Sequence, residues 1–263
     1  MNDSASALSG PGRCILGLAS LHHIHRPHDR QAYLQAALDA GVRHFDTAPL
    51  YGNGLAETEL GFALGAMRSQ VTLSTKFGIP VRMYGERARH LFLPMRIVDR
   101  LLPGYRARQD GRDYTAAALI ESVEGSLRRL RTEHIDVLFV HEPTPGLTLS
   151  SDLLEAAQRL QATGKIGAFG LAGEQAAALS ATAPPQVGLI QAPIEHLDQS
   201  PVATRMRQRA YFIHRAYAAA PVDRRGTFPS FVSSLLQDRP GVDLLLATRS
   251  LDRLRALAPL FSR

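Results

Sequence analysis

Short, almost wholly apolar runs alternate along this chain with longer stretches in which apolar residues return every third or fourth position. The runs CILGLAS (14–20), RHFDTA (43–48), VTLSTKF (71–77) and IDVLFVH (135–141) predict strands. So do IGAFGLA (166–172), VGLIQAP (187–193), YFIHRA (211–216) and VDLLLATR (242–249). Strands this uniformly apolar are covered on both faces, as in a parallel sheet wrapped by helices. The intervening stretches DRQAYLQAALDAG (29–41), AETELGFALGAM (56–67), AALIESVEGSLRRLRTE (117–133), SDLLEAAQRLQATGK (151–165) and LDRLRALAPLF (251–261) predict those helices. Eight strand candidates joined in this way predict an α/β fold, a (β/α)8 TIM barrel forming a single domain over residues 1–263.

Two connections break the rhythm. Residues 78–114 form a long insertion after the third predicted strand, on the side where barrel enzymes bind substrate. Its amphipathic, basic run RMYGERARHLFLPMRIVDRLL (82–102) reads as a substrate lid in preference to a membrane or partner contact. After the seventh predicted strand only HRAYAAAPVDRRGTF (214–228) is available, which predicts a shortened loop there.

Composition narrows the possibilities. With 263 residues, 45% hydrophobic and 21% charged, the chain matches an ordinary soluble enzyme. The net charge of +6 comes from scattered arginines with no aromatic-interleaved basic module, so no nucleic-acid partner is expected. Nothing in MNDSASALSGPGR resembles a secretory signal, and no apolar run reaches the roughly 18 residues of a membrane helix. The expectation is a cytoplasmic protein acting on a small-molecule substrate, with no membrane partner. A single cysteine, Cys14, excludes an internal disulfide and a cysteine-based zinc site. His22, His23, His25 and His28 are too irregularly spaced for a metal set and read as loop lining.

Of the 30 basic residues only Lys76 and Lys165 are lysines. Lysine can shift its pKa where arginine cannot, so Lys76, near the end of a strand, reads as chemistry. Asp46 ends the second predicted strand, His141 ends the fourth, and Tyr51 follows the second on the Gly-rich turn YGNG. In a barrel these positions converge on one mouth. A free phenol has a pKa near ~10, too high for easy proton exchange at neutral pH. An adjacent ammonium lowers it, and an aspartate beside the ammonium keeps it charged. Such a set suits proton transfer to a carbonyl oxygen, with a histidine across the mouth orienting it.

The segments FDTAPLYGNGLAETELG, STKFG and IDVLFVHEP resemble the aldo-keto reductase family, over about residues 13 to 172. The resemblance implies Asp46, Tyr51, Lys76 and His141 as the catalytic tetrad, with Tyr51 the general acid/base, and NADPH as hydride donor. It is nearest to the bacterial sugar and aldose dehydrogenase branch. It implies cofactor contacts at Ala19, Asp46, Gln191, Thr248, Arg249 and Arg253, the last three toward the adenosine 2′-phosphate. The family's Ser-Asn pair after the fifth strand is replaced here by Ala172 and Gly173, and its adenine-contacting Asn by Leu257. These losses predict weakened cofactor binding. Two other functions stay open on this reading. One is a redox-neutral lyase, isomerase or dehydratase using the same four residues without cofactor. The other is a non-catalytic regulatory subunit.

Overall fold

A computed structural model of the chain describes residues 14–87, 89–102, 111–196, 210–212, 227–238 and 242–261. Eight parallel strands close into a barrel in chain order. They are β1 Cys14–Gly17, β2 His44–Asp46, β3 Thr72–Phe77, β4 Ile135–His141, β5 Ile166–Ala172, β6 Leu189–Gln191, β7 Ala210–Phe212 and β8 Asp243–Leu246. Closure runs through Cys14, Ile15 and Leu16 of β1, paired with Leu244, Leu245 and Leu246 of β8. All eight predicted strands appear in place. Several stop short of the predicted end because the residues beyond Gly17, Asp46 and Gln191 leave the ladder to build the mouth.

The described helices are α1 Pro27–Asp39, α2 Leu55–Leu64, α3 Tyr84–Arg87, α4 Phe92–Leu101, α5 Ala116–Leu130, α6 Ser151–Ala162, α7 Ala176–Leu179, α8 Phe228–Asp238 and α9 Leu251–Phe261. Thr115 and Ser150 begin α5 and α6 as side-chain caps, each accepting a backbone N–H from the first turn. The main core lies between the sheet and this ring, with Leu34, Phe45, Leu73, Leu119, Leu138 and Leu254 essentially inaccessible. A second, smaller cluster of Ile15, Val137, Phe139, Ala172, Leu189 and Leu245 fills the barrel itself. The interior is therefore packed, and chemistry is confined to its rim.

The described residues of the insertion include α3 and α4 and are fastened at the mouth at either end. At its start, the Gly85 N–H bonds Asn53 O at 3.0 Å and the Tyr84 hydroxyl bonds Asn53 Oδ1 at 3.0 Å. At its finish, the Tyr114 hydroxyl donates to His141 O at 3.0 Å and Glu142 O at 2.7 Å. The insertion thus braces the two loops that carry Tyr51 and His141, a scaffolding role beyond the predicted lid. Of the loop predicted to be shortened, residues 214–226 lie outside the described residues.

Candidate active site

Asp46 closes β2 and Lys76 stands one residue before the end of β3, and both are buried. Lys76 Nζ donates to Asp46 Oδ2 at 2.5 Å and to Thr47 O at 3.0 Å. The other carboxylate oxygen of Asp46 accepts from Ser74 Oγ at 3.0 Å and from Gln191 Nε2 at 3.2 Å. Asp46 is thus held from three sides and in turn fixes the ammonium. Lys76 Nζ lies 4.9 Å from the centre of the Tyr51 ring, whose edge meets His141 with ring centres 6.0 Å apart. The four residues expected to meet do so.

The turn YGNG explains how Tyr51 reaches this place. Gly52, Asn53 and Gly54 all have positive φ, at 65°, 54° and 89°. Gly52 admits no side chain, because a Cβ there falls 2.8 Å from the His22 Cβ. This left-handed run reverses the chain within three residues, seats Tyr51 over Lys76 and starts α2 at once.

The two glutamates of ETELG have a different task from the one a helix start suggests. Glu57 and Glu59 are fully buried. Glu57 accepts from Arg129 Nε at 2.7 Å and from the Thr75 hydroxyl at 2.6 Å, next to Lys76. Glu59 accepts from Arg30 Nε at 2.9 Å and from Arg89 Nη2 at 2.6 Å. These pairs tie α2 to β3, α5, α1 and the insertion.

Burial is the largest influence on the Tyr51 phenol and raises it above its ordinary value. The Lys76 ammonium works in the expected lowering direction, but Asp46 and Glu142 add to the rise and the net shift is upward. Sequence alone led to the opposite sign, because it reveals the ammonium but not the desolvation. Burial works against the Lys76 ammonium as well, yet Asp46 and then Tyr51 outweigh it and hold the amine above its usual value. His141 is held well below the usual imidazole range by burial, then by Lys76 and Arg112. At neutral pH the site therefore holds a neutral imidazole, a protonated phenol and a charged amine.

Glu142 belongs to this site and was not anticipated. It follows His141 in a left-handed conformation, φ 46°, with its backbone carbonyl taken by Tyr114 and by Arg112 Nε at 3.3 Å. Its Oε2 accepts the Glu174 N–H at 3.3 Å and fills the space above Gly173, where a Cβ falls only 2.4 Å away. Gly173, at φ 137°, permits that approach. The only sequence signal was the glycine itself, standing where a polar side chain was expected. Removing this charge as Glu142→Gln is expected to lower the Tyr51 pKa. Absorbance titration of the phenolate, taken as a difference against Tyr51→Phe, measures it, and an unchanged or raised value contradicts the coupling.

Of the predicted cofactor residues, Gln191 and Asp46 lie within this cluster. Thr248, Arg249 and Arg253 sit apart, at the end of β8 and the start of α9. There the Thr248 hydroxyl accepts the Ser250 N–H at 3.1 Å, and Ser250 Oγ accepts the Arg253 N–H at 3.3 Å as a helix cap. Arg249 and Arg253 are exposed, so a helix N-terminus flanked by two guanidinium groups fits a phosphate. Ala19 is exposed just beyond β1, where it offers only backbone groups. Leu257 is wholly buried in the main core. The Thr47 hydroxyl, buried just after β2, has no hydrogen-bond partner among the described residues. An orphaned hydroxyl, the Gln191 amide and the phosphate-type site on α9 fit a dinucleotide, with Glu142 in place of the missing Ser-Asn side chains. A separate cleft of roughly 370 Å³, lined by Pro49, Ile79, Met83, Glu121 and Arg129 among others, contains none of the four central residues.

The model of the aldo/keto reductase family matches residues 13–200. The chain belongs to the aldo/keto reductase family. Among its relatives are D-threo-aldose 1-dehydrogenase of a Pseudomonas species, 35% identical over 147 residues, and pyridoxal 4-dehydrogenase of Microbacterium luteolum, 35% identical over 133 residues. These alignments take in 53% and 48% of this chain, and the chain covers only 42% and 38% of those relatives' lengths. Similarity of fold extends further. An aldo-keto reductase of Bacillus halodurans in its holo form superposes with a TM-score of 0.68 at 20% identity, over 95% of this chain and 87% of that one. A Klebsiella pneumoniae aldo/keto reductase in complex with NADP and acetate gives 0.65 at 19% identity, over 96% and 87%. The family match thus ends ahead of β7 and β8, while the likeness of fold takes in nearly the whole chain.

Proposed function

We propose that this aldo/keto reductase-family chain interconverts a carbonyl and an alcohol on a small polar or sugar-like substrate, with NADPH as the redox partner. The observation that carries the reading is the buried Lys76–Asp46 pair set beneath the Tyr51 phenol with a neutral His141 at its edge. In the reducing direction the substrate carbonyl sits between Tyr51 and His141. The imidazole donates a hydrogen bond that orients the carbonyl oxygen, and the phenol delivers its proton as charge develops there. Lys76 steadies the phenolate left behind, and Asp46 keeps the ammonium charged and aimed at it. NADPH, when bound, supplies the hydride. Gln191 would hold its nicotinamide end, and Arg249 and Arg253 its 2′-phosphate. The sugar class is suggested by relatives named for aldoses and for 6-dehydroglucose.

Titrating NADPH, followed by its own fluorescence and by calorimetry, tests the proposal directly, since absence of binding sinks it. A guanidinium on the 2′-phosphate predicts that Arg249→Ala weakens NADPH by about 10- to 100-fold and leaves NADH within about twofold. Equal losses for the two nucleotides remove Arg249 from the phosphate site.

A second reading rests on Glu142, whose carboxylate stands beside the tetrad in place of a nicotinamide contact. It gives the mouth an additional base and suits a redox-neutral elimination or isomerisation. Turnover without nucleotide, abolished in Tyr51→Phe, selects this reading over the first.

A further inference from the structure

Helix α4 is amphipathic in the inverse sense for a protein exterior. Its inward side carries Phe92 and the acidic Asp99, while a wide aliphatic side faces solvent. Phe92 and Asp99, two turns apart on one face, are buried. Phe92 packs on Tyr84 and His22, with ring centres 5.7 and 6.1 Å away, and Asp99 pairs with Arg82 at 3.6 Å. On the opposite arc Leu91, Leu93, Ile97, Val98 and Leu101 stand 59%, 45%, 55%, 51% and 80% exposed. A contiguous patch of large aliphatic residues on a single helix marks a contact surface.

Charge identifies what it contacts. Arg100 is exposed and Arg96 half-buried along one border of the apolar arc. The only carboxylate between residues 89 and 102 is Asp99, which is buried and paired. In the sequence Arg106, Arg108 and one carboxylate, Asp110, follow soon after, in a chain of net charge +6. A convex helix, aliphatic outside, with Arg96 and Arg100 as the charged residues along its border among the described residues, matches an anionic lipid surface. A second copy fits poorly, since two such helices bring like charges together with no exposed carboxylate on α4 to pair them. We infer that α4 is a peripheral docking element for anionic phospholipid bilayers, its aliphatic face entering the headgroup boundary and its arginines meeting lipid phosphates. This departs from the expectation of no membrane contact, and it requires no membrane span. Because α4 packs on His22 beside Gly52, a bilayer docked there lies next to the site's rim.

The full chain should co-sediment with phosphatidylcholine vesicles containing about one-third phosphatidylglycerol, and not with pure phosphatidylcholine. Raising the salt should weaken binding. Leu101→Asp and Ile97→Asp should each reduce it at least tenfold, with unchanged thermal midpoint because both positions are exposed. Arg100→Gln, which leaves the aliphatic face intact, should reduce it about fivefold on the anionic vesicles alone. Absence of vesicle binding overturns the inference, as does equal binding to both compositions. A concentration-dependent dimer by light scattering, dissolved by Leu101→Asp, also overturns it by assigning the face to a second copy.

Discussion

Tyr51→Phe is expected to lower turnover by about two to four orders of magnitude while leaving NADPH affinity within about twofold. In the proposed reaction the hydroxyl gives a proton to substrate and, in the reverse direction, takes it back. Its loss should not disturb the frame. Lys76 keeps its bonds to Asp46 and Thr47, and the ring can keep its edge contact with His141. Turnover and kcat/KM should therefore fall together, as they do when an interaction made only in the transition state is removed. The pH profile adds a second check. Reduction needs the phenol protonated, and burial has raised its pKa, so the rate should fall only as pH climbs above the ordinary tyrosine range. Oxidation needs the phenolate, so its rate should rise with pH over the same interval. The depressed pKa of His141 leaves it neutral from mildly acidic pH upward, so no break from this imidazole is expected near neutrality. A Phe variant with near-normal turnover ends the proposed role of Tyr51.

Much of this site was legible because a barrel translates strand order into proximity. Once Asp46, Lys76 and His141 were read at the ends of successive strands, their convergence followed from topology. β4 and β5 match their predicted limits because both are long apolar runs, whereas β2 and β6 are cut to three residues where the chain peels off into the mouth. What stayed hidden depends on contacts between distant residues. Glu57 meets Arg129 and Glu59 meets Arg30, at separations of 72 and 29 residues, and no local pattern distinguishes them from solvated helix charges. Glu142 was concealed for another reason. Its role depends on a left-handed backbone at a residue other than glycine and on the room above Gly173. The Tyr51 pKa carried the wrong sign because charges appear in a sequence and desolvation does not. The outward facing of helix α4 was hidden in a similar way, since periodicity marks an apolar stripe without saying which way it faces.

Glu59→Ala is expected to destabilise the fold by about 3–5 kcal/mol, the usual consequence of stranding one member of a buried ion pair. Glu59 and Arg30 are both wholly inaccessible, and Arg89 and Gln31 also donate to the same carboxylate. Arg30 would keep its bonds to the carbonyls of Ile24, His25 and Arg89 but lose its only carboxylate partner among the described residues. Glu59→Gln, able to accept hydrogen bonds but uncharged, should fall between wild type and Ala. Burial alone would raise the carboxyl pKa, but Arg89, Gln31 and Arg30 outweigh it and hold the value below the ordinary one. A carboxylate with a depressed folded-state pKa contributes stability above its unfolded value, near ~4.3, and loses that contribution as pH falls through the folded one. The gap between wild type and Glu59→Gln in chemical denaturation should therefore be widest near neutrality and narrow in acid below about pH 4. A gap independent of pH would mean that shape and hydrogen bonding, rather than charge, hold α2 in place. Because α2 begins at the turn carrying Tyr51, the Ala variant should also lose activity before it unfolds, as the phenol loosens over Lys76.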